Sequence, residues 1–185
     1  MEEIIKHIDM EMLKSYSYQG SYTDEYLFFT DKLENIFQEN KNVKLEFFLM
    51  IYCIEGEIKL ELNNSPHHLH QKDLIISLPN TIIGQVLASP NHKIKIICFS
   101  NRLLQRLTQT EKYTWKWVCY IQKNPIKHFE GEEEKLFNQY LDLIESKAQT
   151  GINKIQKEIL SHIASAFFGE MISHTTKKSV ETDIR

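Results

Sequence analysis

The chain has 185 residues, of which 42% are hydrophobic and 11% aromatic, and a formal net charge of -3. This is enough apolar material for a substantial core, which excludes a disordered chain, while the slight acidic excess excludes nucleic-acid binding by this stretch alone, since that needs a Lys/Arg surplus. No apolar run approaches the ~20 residues that span a bilayer, and MEEIIKHIDM has neither the basic start nor the apolar block of a secretory signal, so the expected location is the cytoplasm.

Residues 1–25 show no sustained period and are expected to form an N-terminal arm with at most a helical turn. Tyr26 to Thr30 reads as a first strand, and the polar segment Asp31 to Asn42 as a strand and a loop. Phe47 to Ile54 is an unbroken apolar run, expected for a strand covered on both faces, and it is read together with Val43 as one strand ended by Gly56. Ile58, Leu60 and Leu62 then alternate with Glu57, Lys59 and Glu61, the period of a half-buried strand. Asn63-Asn64 supplies a turn that tolerates positive φ. His67 to His70, Leu74 to Leu78, Ile82 to Ala88 and Lys93 to Phe99 continue the series of short strands, separated by turns at Lys72-Asp73, Pro79-Asn80 and Ser89-Pro90-Asn91. In the last strand Lys93 and Lys95 are expected to face out. Strands this short and evenly spaced predict a sandwich or barrel over 26–99.

The period changes at Ser100, which is placed to cap a short helix carrying Leu103, Leu104 and Leu107. A second helix, Trp115 to Gln122, stops near Asn124-Pro125. A third, Glu130 to Gln149, opens on acids that suit a helix N-terminus and bears a stripe of Leu136, Phe137, Tyr140, Leu141 and Ile144. After Gly151 a fourth helix carries Ile152, Ile155, Ile159, Ile163, Phe167 and Met171 at steps of three and four, so the two form a helical hairpin within 100–173. Residues 174–185 are polar and read as a flexible linker or tail. Cys53, Cys98 and Cys119 are widely spaced in apolar sequence without a CxxC pair, the pattern of buried thiols in a reducing compartment.

On the Glu55-Gly56-Glu57 turn, the Lys72-Asp73 turn and Pro79-Asn80, the β portion resembles a cupin. A cupin-like β-barrel (double-stranded β-helix) followed by a helical hairpin resembles the N-terminal regulatory domain of AraC-family transcription regulators. Lys72 and Asn80 stand where that family usually has glycine. The resemblance spans Tyr26 to Ser173 and implies an effector-sensing and dimerisation domain: a homodimer, a small-molecule effector such as a sugar or other metabolite, and DNA bound only through a helix-turn-helix domain beyond Arg185.

Cupin enzymes hold a metal with a histidine pair and a carboxylate before the Glu-Gly turn and a later histidine. Here those positions carry residues such as Val43, Leu45 and Leu49, and Ile82, Ile83 and Gly84 follow Pro79-Asn80, so no metal and no cofactor is expected. His68 and His70 share one face of a strand, but two ligands are too few, and Asp73, the nearest acid in sequence, falls in a turn. No GxSxG, activated cysteine or phosphate loop is present, so no catalysis is expected.

What remains is binding. The candidate barrel lining is Met50, Tyr52, Ile58, Leu60, Ile76, Ile96 and Cys98, which equally suits a packed core. The candidate dimer stripe is Ile152, Ile155, Ile159, Ile163 and Phe167, which equally suits the barrel wall. A stand-alone cupin enzyme or small-molecule-binding protein is the alternative. A cyclic-nucleotide-binding domain is disfavoured, because the Gly-Glu-rich phosphate cassette with its arginine is missing.

Overall fold

A computed structural model describes residues 5–15, 22–23, 26–37, 42–108, 113–149 and 153–182. Its strands are β1 (Lys6–Ile8), β2 (Tyr22–Thr23), β3 (Leu27–Thr30), β4 (Val43–Leu45), β5 (Phe48–Glu55), β6 (Ile58–Leu62), β7 (Ser65–Leu69), β8 (Asp73–Ser77), β9 (Thr81–Ala88), β10 (Lys93–Phe99) and β11 (Ile126–His128). The helices are α1 (Met10–Ser15), α2 (Asn101–Thr108), α3 (Tyr113–Lys123), α4 (Gly131–Gln149) and α5 (Lys154–Thr182). The strands form two facing sheets, β1-β4-β9-β6-β7 and β11-β8-β5-β10-β3-β2. Among the described residues the strand pairings are antiparallel except β1 with β4. This is the cupin-like two-sheet architecture with a C-terminal helical pair.

The second sheet is buried on both faces, and side-chain parity divides its residues cleanly. Leu49, Ile51 and Cys53 of β5, Ile75 of β8, and Ile94, Ile96 and Cys98 of β10 point between the sheets. Phe48, Met50 and Tyr52, Leu74 and Ile76, and Ile97 and Phe99 point the other way, into a core shared with the helices. The unbroken apolar run of β5 follows from this, because neither face meets water.

Several elements differ from the sequence-based expectation. The arm over 1–25 contributes β1 and β2 to the sheets and α1 between them. Where a strand and a loop were expected over Asp31 to Asn42, the described residues 31–37 hold a 3₁₀ turn, Leu33–Asn35, and residues 38–41 lie outside the described residues. The expected single strand from Val43 divides at Glu46-Phe47, so β4 lies in one sheet and β5 in the other. β11 follows Pro125 and pairs with β8. The helix expected to end before His174 runs to Thr182. Gly151 lies outside the described residues; α5 begins after Asn153, whose Oδ1 accepts a hydrogen bond from the Gln156 amide at 2.9 Å.

The turns behave as their residues require. Asn63 and Asn64 have φ of 49° and 65°, and the two positions that depart from glycine, Lys72 and Asn80, have φ of 71° and 69°. For Lys72 this conformation costs about 1–2 kcal/mol. Its backbone offsets that cost by donating to Cys53 O at 2.8 Å and accepting from the Phe129 amide at 3.1 Å. Its ammonium pairs with Glu134 at 2.8 Å. Gly56, at φ 84°, has no such latitude: a Cβ there would lie 2.4 Å from Ser89 Oγ and 3.1 Å from His92 Cα. Gly56→Ala is therefore expected to cost more than about 1–2 kcal/mol, the left-handed penalty alone, read as a lower urea midpoint. An unchanged midpoint would mean that this turn opens without cost.

Helix α4 is fastened to the β layer by three ion pairs: Lys72–Glu134, Lys127–Glu133, and Lys95–Glu145 at 2.6 Å. Lys95 thus turns away from the barrel interior as expected, yet lies under α4 rather than in open solvent. Glu133 and Glu134 are tied down, while Glu130 and Glu132 remain exposed. Ser100 caps α2, its Oγ accepting from the Leu103 amide at 3.2 Å.

Candidate functional site

The seven residues expected to line the barrel do not converge. Ile58, Leu60, Ile96 and Cys98 lie in the packed core between the sheets, each 2% exposed or less. Met50, Tyr52 and Ile76 point out of the barrel to the helical layer. The reason is the one-residue parity of a strand: Met50 and Leu49 are adjacent, equally apolar and on opposite faces.

The space lies elsewhere, at the mouth of the β structure. A cleft of about 530 Å³ is bounded by Leu62, Asn63, Ser65 and His67 on the β6–β7 hairpin, by the β8–β9 turn from Ile76 to Thr81, and by Ile121, Gln122, Lys123 and Pro125 at the end of α3. Ile76 is the one member of the expected lining that reaches it. The volume falls in the range of small-molecule sites, about 300–1,000 Å³. Its walls combine hydrocarbon from Ile76, Leu78 and Ile121 with polar tips from Ser65, His67 and Asn80, and Lys123 adds a positive charge.

His67 occupies the inward parity of β7, opposite Leu60. Burial lowers its pKa below the ordinary histidine value, so at neutral pH the uncharged ring offers one donor and one acceptor to the cleft. Thr81 anchors the opposite wall, its hydroxyl donating to Leu78 O at 2.7 Å. Helix α3 is fixed from behind: Trp117 stacks on Phe48 at 5.4 Å and meets Phe168 of α5 edge-on at 5.1 Å. The cleft therefore touches the β layer and, through α3, the helical hairpin.

The expected dimer stripe winds round its helix. Ile155 is 66% exposed and Ile159 37%, whereas Phe167 is 1% exposed. Ile163 is partly buried against the helix-side core, and Ile152 lies outside the described residues. At 3.6 residues per turn, each step of four drifts by about 40°, so the stripe passes from solvent at Ile155 to the core at Phe167. The face that seals the barrel is Leu160, Ala164, Phe167, Phe168 and Met171. Leu136 and Leu143 of α4 add further exposed apolar surface to the hairpin.

The interior does not suit the metal of a cupin enzyme, because Val43, Leu45, Leu49 and Ile83 are buried hydrocarbon there. The histidine pair is a different matter. The expected shortage of donors does not hold in three dimensions: Glu57 Oε2 lies 3.0 Å from His68 Nε2, and the His68 and His70 rings are 4.2 Å apart. Asp73 begins β8 as a buried acceptor rather than sitting in an open turn. All three cysteines are free thiols, but Cys119 is exposed, contrary to expectation. Burial, with the nearby carboxylates of Asp73 and Glu57, pushes the Cys53 thiol up to about 11, which keeps it protonated. No helix among the described residues is long and apolar enough to cross a membrane.

No family model and no curated protein matches the chain. Among solved structures it is similar to apo ToxT K231A from Vibrio cholerae, with a TM-score of 0.52 at 11% identity, covering 83% of this chain and 58% of that one. The AraC-like transcriptional activator CuxR gives a TM-score of 0.47 at 9% identity over 80% of this chain and 49% of that one. An RmlC-like cupin from Shewanella frigidimarina gives 0.28 at 19% identity over 40% and 61%. The chain thus spans about half the length of the regulators it matches. At these identities the likeness is one of fold, and it places N-terminal cupin-like domains of AraC-family regulators among the structural neighbours.

Proposed function

We propose that this chain is the effector-sensing and dimerisation domain of an AraC-like transcription regulator, with a small organic molecule in the cleft at the barrel mouth and DNA contacted through a separate helix-turn-helix domain. The observation that carries the reading is the position of the cleft, walled on one side by the β6–β7 hairpin and the β8–β9 turn and on the other by the end of α3. A molecule held there contacts both layers. Since α3 packs through Trp117 on Phe168 of α5, an occupied cleft favours one setting of the hairpin, and a ligand shifts such an equilibrium by its difference in affinity for the two settings. Two hairpins joined in a homodimer would pass that preference to paired DNA-binding units on two half-sites. In this reading the chain catalyses no reaction and works in the cytoplasm.

The mixed lining, with a cation at Lys123, suits a small amphipathic or anionic metabolite. The test is a thermal-melt screen of sugars and small organic acids. A ligand at a hundred times its Kd adds about 2.7 kcal/mol, a rise in Tm of about 5–10 °C for a chain of this size. Ser65→Trp, at an exposed position on the cleft wall, should abolish that rise while leaving the ligand-free Tm nearly unchanged. A ligand that stabilises wild type and S65W equally binds elsewhere and removes the cleft from the proposal.

A further inference from the structure

The outer face of the β6–β7 hairpin carries a group of side chains that the cleft does not use. In the hairpin register Lys59 opposes His68 and Ile58 opposes Leu69. Strand alternation sends Leu69 inward, where it is fully buried, and turns His68 and His70 outward. Glu57, one residue before Ile58, has the same outward parity. One ligand atom from each of Glu57, His68 and His70 lies within 4.8 Å of the other two. We propose that these three side chains form a divalent transition-metal site, independent of both the barrel interior and the effector cleft.

Two observations raise this above a chance surface cluster. The first is spacing. A tetrahedral ion with bonds of about 2.0–2.1 Å holds its donors about 3.3 Å apart; the Glu57–His68 pair already stands at 3.0 Å, so small torsional changes in His70 complete the set. The second is support from behind. Asp73 Oδ2 lies 3.6 Å from His70 Nδ1, just beyond hydrogen-bond reach, so the same small turn of the His70 ring that completes the donor set can bring the two into a carboxylate–histidine contact and leave Nε2 for an ion. Asp73 is itself held, buried at 7% exposure, accepting from the His70 amide at 2.8 Å and from His128 Nδ1 at 2.7 Å. The backbone of Glu57 is likewise clamped, its amide donating to Ser89 Oγ at 3.0 Å.

Two imidazoles and one carboxylate select zinc, nickel, cobalt or copper over calcium and magnesium, which take oxygen ligands. The remaining coordination positions face solvent, and Lys59 beside His68 adds a positive charge that lowers affinity. The metal site shares no residue with the effector cleft, so either can be present without the other.

The test is calorimetric titration of the untagged chain with zinc, nickel, cobalt, copper and magnesium chlorides. One ion of the transition group per chain is expected, with magnesium silent. His68→Ala and His70→Ala should each weaken binding by at least about 100-fold, and Asp73→Asn, through the orientation of His70, by about 10–100-fold at unchanged stoichiometry. His7→Ala and His92→Ala should leave it intact. Should a variant fail to fold, wild-type protein gives the same answer: copper should show two coordinated imidazole nitrogens by electron paramagnetic resonance and broaden the ring signals of His68 and His70 by NMR. No transition-metal binding by wild type, or binding that survives both histidine substitutions, overturns the proposal.

Discussion

Phe168→Ala is expected to destabilise the fold by about 3–5 kcal/mol, the cost of truncating a fully buried phenylalanine. The Phe168 ring is 1% exposed and stands 5.2 Å from Phe48 of β5, 5.8 Å from Phe99 of β10 and 5.1 Å from Trp117 of α3. One side chain on α5 thus joins two neighbouring strands of a sheet to the helix that walls the cleft. Removing it opens a cavity that cannot collapse, because its walls belong to three different elements. Trp117 offsets a little of the loss, since its buried Nε1–H has no hydrogen-bond partner among the described residues and water admitted beside it would satisfy that donor. Against a total stability of about 5–15 kcal/mol, the change should appear as a large drop in the urea midpoint and a loss of near-ultraviolet aromatic ellipticity. A cost below about 1 kcal/mol would show that the hairpin does not close the helix-side core. If the cleft senses a ligand, the same variant should bind it with little conformational readout, because the path from α3 to α5 is cut.

Much of the β architecture was readable in the sequence because its determinants are local. The alternation of Ile58, Leu60 and Leu62 and the Asn63-Asn64 turn produced the strand and hairpin expected of them, and Asn80 and even Lys72 adopted left-handed geometry at their turns. What could not be read depended on distance or parity. β1 and β11 are three residues each, too short to display a period, and exist because neighbouring strands offer open edges. The break at Glu46-Phe47 falls where the alternating Val43-Lys44-Leu45-Glu46 meets the apolar run from Phe47, with no Gly or Pro to mark it, although the two daughter strands lie in different sheets. The pocket assignment split for the same reason: when both faces are covered, Leu49 and Met50 carry no mark of which way they point. α5 passed His174 without an apolar stripe to announce it, since each added residue extends an existing helix by one hydrogen bond and needs no new nucleus. The Glu57 donor was within reach, however. A two-residue Asn-Asn turn joining Leu62 to Ser65 sets Ile58 against Leu69, and that register carries Glu57 to the His70 end of the strand.

Under the proposed homodimer, Ile159→Glu is expected to leave a folded monomer, with an apparent mass near 21.9 kDa in sedimentation or light scattering. The structure makes the experiment cleaner than the sequence alone promised. Ile159 is 37% exposed and Ile155 66%, so a carboxylate at 159 can reach water in the isolated chain and the fold should tolerate it. The same substitution at Phe167 would bury a charge in the core and report only unfolding. Between two copies the balance reverses. Burying Ile159 against a partner removes apolar area worth about 25 cal/mol per Å², whereas a glutamate there must be desolvated without a partner. The double change Ile155→Glu/Ile159→Glu should leave no dimer at any accessible concentration. A dimer that persists through the double change would move the interface to another surface, with the Leu136 and Leu143 face of α4 next to be tested. In the sensing scheme a monomeric variant should still bind the cleft ligand, since Ser65, His67 and Ile121 lie in the cleft and not on the exposed stripe. Loss of ligand binding together with the dimer would instead mean that the cleft is completed or held open by the second copy.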